Sequence, residues 1–132
     1  MTQKLKIFGT FFGMTAVIIG AFGTHALGEQ LDLDQLRSFE TGVKYQMYHA
    51  LLMIILGFNI KAKSKFLNLI FYMLVIGIVL FSGSIYGLAT NSLTSFDFTK
   101  IALITPIGGS LLILSWLLIL VSFMMNNSKN NI

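Results

Sequence analysis

The chain has no cysteine, which excludes disulfides and thiolate metal sites and says nothing about compartment. It has a single proline, Pro106, and little charge: 11% of its 132 residues are charged, and only five of those are acidic. Against that scarcity stand 55% hydrophobic side chains and a mean hydropathy of +0.81. So little charge could not cover so much apolar surface in a soluble domain of this size, so the composition calls for lipid as solvent. The length allows one domain, because a division would leave neither half a core.

The few charges are ordered. Lys4 and Lys6 precede the first apolar run, Lys61, Lys63 and Lys65 separate the second from the third, and Lys129 follows the last. Arg37, Lys44 and Lys100 lie in the alternate gaps, diluted by Glu29, Asp32, Asp34, Glu40 and Asp97. Four membrane spans are expected, over about 7–27, 43–60, 66–89 and 101–125, long enough to read as helices rather than barrel strands. The lysine asymmetry then puts both termini in the cytoplasm. Lys4, Lys6 and the apolar run after them also resemble a secretory signal, but three further apolar segments favour an uncleaved first span. A net charge of +4 does not point to nucleic acid, because the lysines sit beside apolar runs where lipid headgroups are the natural contact.

Between the first two spans, Asp32 and Gln35 have the spacing of a capping box, with Leu31 and Leu36 as its staple. Leu33, Leu36, Phe39, Glu40 and Val43 follow at helical spacing and predict a short amphipathic helix on the membrane surface, bending at Gly42 into the second span. One unbroken helix over 33–60 is the alternative. Charge-free sequence in the second span covers only roughly 24 Å at helical rise, so Lys44 snorkels towards headgroups. The connection around Ala62–Ser64 is short enough to make spans two and three an antiparallel pair. Pro106 either opens the fourth helix behind Thr105 or kinks a helix begun near Thr99.

Lipid gives helices no hydrophobic reason to associate, so packing rests on close approach at small residues. Gly9, Gly13, Ala16, Gly20 and Thr24 form such a stripe in span one, Gly83 and Gly87 in span three, and Thr105, Gly108, Ser115 and Ser122 in span four. These stripes face either the bundle or a second copy of the chain. Trp116 reads as a lipid-facing or interfacial aromatic, and the seven methionines as apolar filler.

Span direction brings the polar groups to the outer ends: His25, then Glu40, Tyr45, Gln46 and His49, then Ser82, Ser84 and Tyr86, then Thr105. Gly42, Tyr45, Gln46 and His49 share a helix face. Three readings stay open: hydrogen bonds that fix helix register, an outward-opening pocket that binds a ligand or carries a proton, or a metal held by the histidines and Glu40. On a straight helix His25 lies about 140° from the small stripe and joins the others only if the chain unwinds near Gly20–Gly23. No nucleophile–base pair, phosphate loop or paired metal ligand suggests catalysis, and no cofactor is expected.

Four segments carry a family pattern: Gly20-Ala21-Phe22-Gly23 followed by His25-Ala26-Leu27, then Phe39-Glu40-Thr41-Gly42-Val43-Lys44-Tyr45-Gln46-Met47-Tyr48-His49-Ala50-Leu51, Phe81-Ser82-Gly83-Ser84-Ile85-Tyr86, and Thr105-Pro106-Ile107-Gly108-Gly109. They resemble the small YgdD/YwdK-type membrane proteins, a family catalogued as a domain of unknown function, in which alanine would be expected at Thr24. The resemblance implies a multi-pass protein of a bacterial plasma membrane and lends no catalytic residues. The expectation is therefore an all-α, four-helix integral membrane bundle without enzymatic activity. It would act as an accessory to a membrane partner or copy of itself, or bind a small or lipid-like ligand in an outer polar pocket. A small transporter or proton-linked channel, possibly dimeric, is the alternative.

Overall fold

The computed structural model describes residues 1–59 and 66–129, with side chains to residue 125. Four long helices account for most of it: α1, Thr2–Phe22; α2, Leu33–Asn59; α3, Leu67–Ala89; and α4, Ile104–Lys129. The first ends in one wide turn of π-helix, Gly23–Leu27, and two short 3₁₀ turns, Asn91–Leu93 and Phe98–Ile101, join α3 to α4. Three stretches, Thr2–Leu27, Leu67–Ala89 and Phe98–Met125, are long and apolar enough to cross a membrane. The second helix matches them in length but carries Asp34, Arg37, Glu40 and Lys44 in its first half. The expected connection at Ala62–Ser64 lies outside the described residues.

The amphipathic stretch expected on the membrane surface is present, but as the first turns of α2 and not as a separate helix. Asp32 and Gln35 close the capping box reciprocally: the Gln35 N–H donates to Asp32 Oδ1 at 2.8 Å and the Asp32 N–H to Gln35 Oε1 at 3.0 Å. Leu31 is buried beside them. Gly42 lies inside this one continuous helix, and its bare Cα is a seat for α3. A Cβ there would lie 2.8 Å from the Tyr86 ring and 3.1 Å from Ile85. Asp32→Ala is expected to remove about 1 kcal/mol and fray the first turn of α2, visible as faster amide exchange at Gln35 and Leu36.

The α1 and α2 helices pack antiparallel through the predicted small stripe. A Cβ on Gly9 would meet the Ala50 carbonyl and Ile54 at 2.8 Å, and one on Gly20 would meet Val43 at 3.2 Å. Gly13 is in looser contact, its nearest neighbour 3.8 Å away, while Ala16 is fully buried. The α3–α4 pair closes in the same way, with Gly108 against the backbone of Leu80 and Phe81, and Gly77 against Leu112. Gly87 seats the Phe98 ring of the α3–α4 connection. Gly83 is the correction to the expected stripe: nothing lies within 4 Å of its missing side chain. Spacing of four from Gly87 did not put it in a contact, because its flanks Ser82 and Ser84 are the buried positions of that turn.

An apolar core of Leu5, Met53, Leu56, Leu67, Ile70 and Leu74, with Leu112 and Ile119 from α4, fills one half of the bundle. A smaller cluster of Leu27, Leu31, Phe39 and Ala89 seals the other end under the α1–α2 connection. The α4 helix begins at Ile104, so Pro106 sits in its first turn, where a missing N–H breaks no helical bond. The helix thus starts two residues ahead of Pro106, and Thr105 is not its cap: the Thr105 N–H bonds the Ala102 carbonyl and its hydroxyl meets Ser84. Ahead of it, Asp97 accepts from the Thr99 N–H at 3.1 Å and hydroxyl at 2.6 Å, which holds its carboxyl below the usual range.

Candidate functional site: a polar ladder and a cleft between α1 and α2

Gln46 is the centre of the polar network. Its Nε2 donates to the Phe12 carbonyl at 3.0 Å and to Thr15 Oγ1 at 2.9 Å, both on α1. Its Oε1 accepts from the Tyr86 hydroxyl on α3 at 2.8 Å. One buried amide thus joins three helices with its donor and acceptor ends both used. One turn earlier on α2, the Gly42 carbonyl accepts from Ser82 Oγ at 2.8 Å. Ser84 and Thr105 share a hydrogen bond of 2.6 Å that ties α3 to α4.

His49 lies further along α2, 5% exposed. Its Nδ1 is 2.7 Å from the Tyr45 carbonyl, and the Trp116 indole N–H donates to Nε2 at 3.2 Å. A carbonyl can only accept and an indole N–H can only donate, so the ring carries its proton on Nδ1 and is neutral. Tyr45 stacks over the imidazole at 6.2 Å and meets Phe81 at 5.1 Å. Trp116 is half-exposed, in keeping with its reading as an outward aromatic, and its indole N–H also links α4 to α2. It lies on the helix side of Gly108, Leu112, Ser115 and Ile119, all buried, and that period was the available signal. Thr15 was missed for a plainer reason: a threonine beside a small stripe has no pattern of its own.

The structure separates the remaining predicted residues from this network. His25 is exposed in the π-helical turn; the chain does widen near Gly23, and the imidazole still does not reach the others. The wide turn instead puts Gly23 against the Phe39 ring, 2.5 Å from where a Cβ would stand. Glu40 is exposed and pairs loosely with Lys44 at 4.0 Å. Among the described residues no three His, Asp or Glu side chains converge. The expected single outward pocket is thus not where the histidines suggested. Gln46, Ser82, Ser84, Tyr86, Thr105 and His49 form a ladder of interhelical bonds. A distinct cleft of about 270 Å³ opens between α1 and α2, lined by Gly20, Gly23, Thr24, Phe39, Glu40, Val43 and Lys44. Its wall is apolar where the glycines, Phe39 and Val43 meet, and charged along one edge.

Long apolar helices joined by glycine contacts and buried hydrogen bonds define a small multi-pass helical membrane protein. Residues 19–109 match the family described as Protein of unknown function (DUF423), and the chain belongs to that family. It is 39% identical to the UPF0382 membrane protein SSP2132 of Staphylococcus saprophyticus over 87% of this chain and 92% of that protein. It is 36% identical both to the UPF0382 membrane protein YwdK of Bacillus subtilis and to the UPF0382 inner membrane protein YgdD of Escherichia coli. Those matches cover 88% and 92% of this chain, and 92% and 90% of the respective relatives. No solved structure matches.

Proposed function

We propose that this membrane protein is non-enzymatic, sits in the plasma membrane with both termini cytoplasmic, and holds a lipid-like ligand in the α1–α2 cleft at its outer end. The observation that carries this reading is the division of labour among polar groups. Gln46, His49, Ser82, Ser84, Tyr86 and Thr105 are engaged in bonds between or within helices, while Glu40 and Lys44 stand half-exposed beside an apolar wall. A recess with an apolar floor and few polar groups at its rim suits an amphipathic ligand. The lysine distribution supports the orientation, placing the cleft at the outer leaflet.

A transporter is the weaker reading. The half of the bundle away from the cleft is packed with Leu5, Met53, Leu56, Leu67, Ile70 and Leu74, which offer an ion or solute no polar step. The test is native mass spectrometry of the protein extracted from its own membrane. Wild-type protein should carry a lipid-sized adduct. Thr24→Trp, at an exposed position whose hydroxyl bonds only to Gly20 of its own helix, should fill the cleft and lose the adduct with an unchanged unfolding temperature. Full retention by that variant would overturn the proposal.

A further inference from the structure

Resting on that reading, we infer that the cleft selects an aminophospholipid headgroup, with its phosphate on Lys44 and its primary ammonium on Glu40. The two side chains are one helical turn apart on α2 and both face the cleft. Their separation of 4.0 Å is at the outer limit of an ion pair, and they remain 61% (Lys44) and 53% (Glu40) exposed. An exposed pair this loose is worth little to the helix itself, so both charges are available to a third group. A phosphate and an ammonium separated by two carbons present the complementary pair of charges at a similar separation.

Depth makes the need for such a partner acute. The charge-free remainder of α2, from Tyr45 to Asn59, covers roughly 22 Å at helical rise, against a hydrocarbon core of about 30 Å. With Asn59 at the inner boundary, Lys44 lies below the outer headgroup plane. A charge at that level draws a phosphate inward or snorkels out to one. Asp34 and Arg37 do not compete, because they pair with each other nearer the start of α2 at 3.9 Å, both largely exposed. A cleft of about 270 Å³ takes a headgroup and leaves the acyl chains along the lipid-facing flank of α1, where Val17 and Ile18 are exposed. Phosphatidylcholine is disfavoured, since a quaternary ammonium has no N–H to give Glu40, and phosphatidylglycerol has no cation to offer it.

The experiment delipidates the full chain in detergent and adds an equimolar mixture of phosphatidylethanolamine, phosphatidylcholine and phosphatidylglycerol. The bound lipid is then read by native mass spectrometry. Wild-type protein should retain phosphatidylethanolamine about tenfold over the other two, the value of one charge-assisted hydrogen bond. Glu40→Gln should shift retention towards phosphatidylglycerol, and Lys44→Gln should lower retention of all three. If Glu40→Gln leaves the headgroup preference unchanged while Thr24→Trp still abolishes binding, the cleft holds lipid and the aminophospholipid assignment is wrong. If Thr24→Trp leaves binding unchanged, the cleft reading itself falls.

Discussion

Replacing Gly108 with leucine is expected to pry α4 from α3 and to cost about 3 kcal/mol, the upper range for overpacking. The Cβ alone would stand 2.8 Å from the Leu80 carbonyl carbon and 2.9 Å from the Phe81 Cα. These are backbone atoms inside a helix and cannot rotate aside, so the helices must part along the contact. The single tryptophan makes the separation measurable, because Trp116 on α4 donates its indole N–H across to His49. Its fluorescence in a denaturant titration should show both an altered native signal and an earlier midpoint. Gly83→Leu is the matched control, on a residue type the sequence alone treats alike. It adds a side chain to open space and should leave the midpoint where it was.

The second large effect is expected at Gln46. Leucine has nearly the same volume but none of the hydrogen bonds, so Gln46→Leu leaves the Tyr86 hydroxyl and the Phe12 carbonyl without this partner. Three interhelical bonds at about 0.6 kcal/mol each, plus the cost of stranding the Tyr86 hydroxyl in a medium without water, give a loss of about 2–3 kcal/mol, while Thr15 keeps its bonds to the Phe11 and Phe12 carbonyls. A cycle with Tyr86→Phe isolates the shared bond: the double variant should lose less than the sum of the single losses. Additive losses would mean that Tyr86 and Gln46 act independently.

The chain's architecture is legible because lipid imposes simple rules on sequence. Apolar run length gives the helices, and the capping pair Asp32–Gln35 sets where α2 starts. Small residues mark where α1 meets α2 and where α4 meets α3, although they do not separate Gly108, which touches backbone, from Gly83, which touches nothing. The polar residues were found as a set but not as an arrangement. Helical spacing places Gln46 and His49 on neighbouring faces of α2, yet partners such as Phe12 O, Thr15 and Trp116 depend on how far each helix is rotated and shifted against the next. Neither quantity is encoded by residue type at one position. The cleft was harder still to foresee, because its lining from the end of α1 and the start of α2 meets only once Gly20 and Gly23 have seated Val43 and Phe39.

Glycine contacts close each sequential helix pair, α1 on α2 and α3 on α4, while three hydrogen bonds bridge one pair to the other. The first two helices meet largely through close backbone approach, as do the last two, and each pair is joined by a described connection. The Gln46–Tyr86, Ser82–Gly42 and His49–Trp116 bonds all run from one pair to the other. The polar seam between the pairs is thus what a divided chain would have to rebuild. Two fragments divided between Asn59 and Leu67 should find each other in the bilayer and restore the native fluorescence of Trp116, and Gln46→Leu in the first fragment should weaken that reunion.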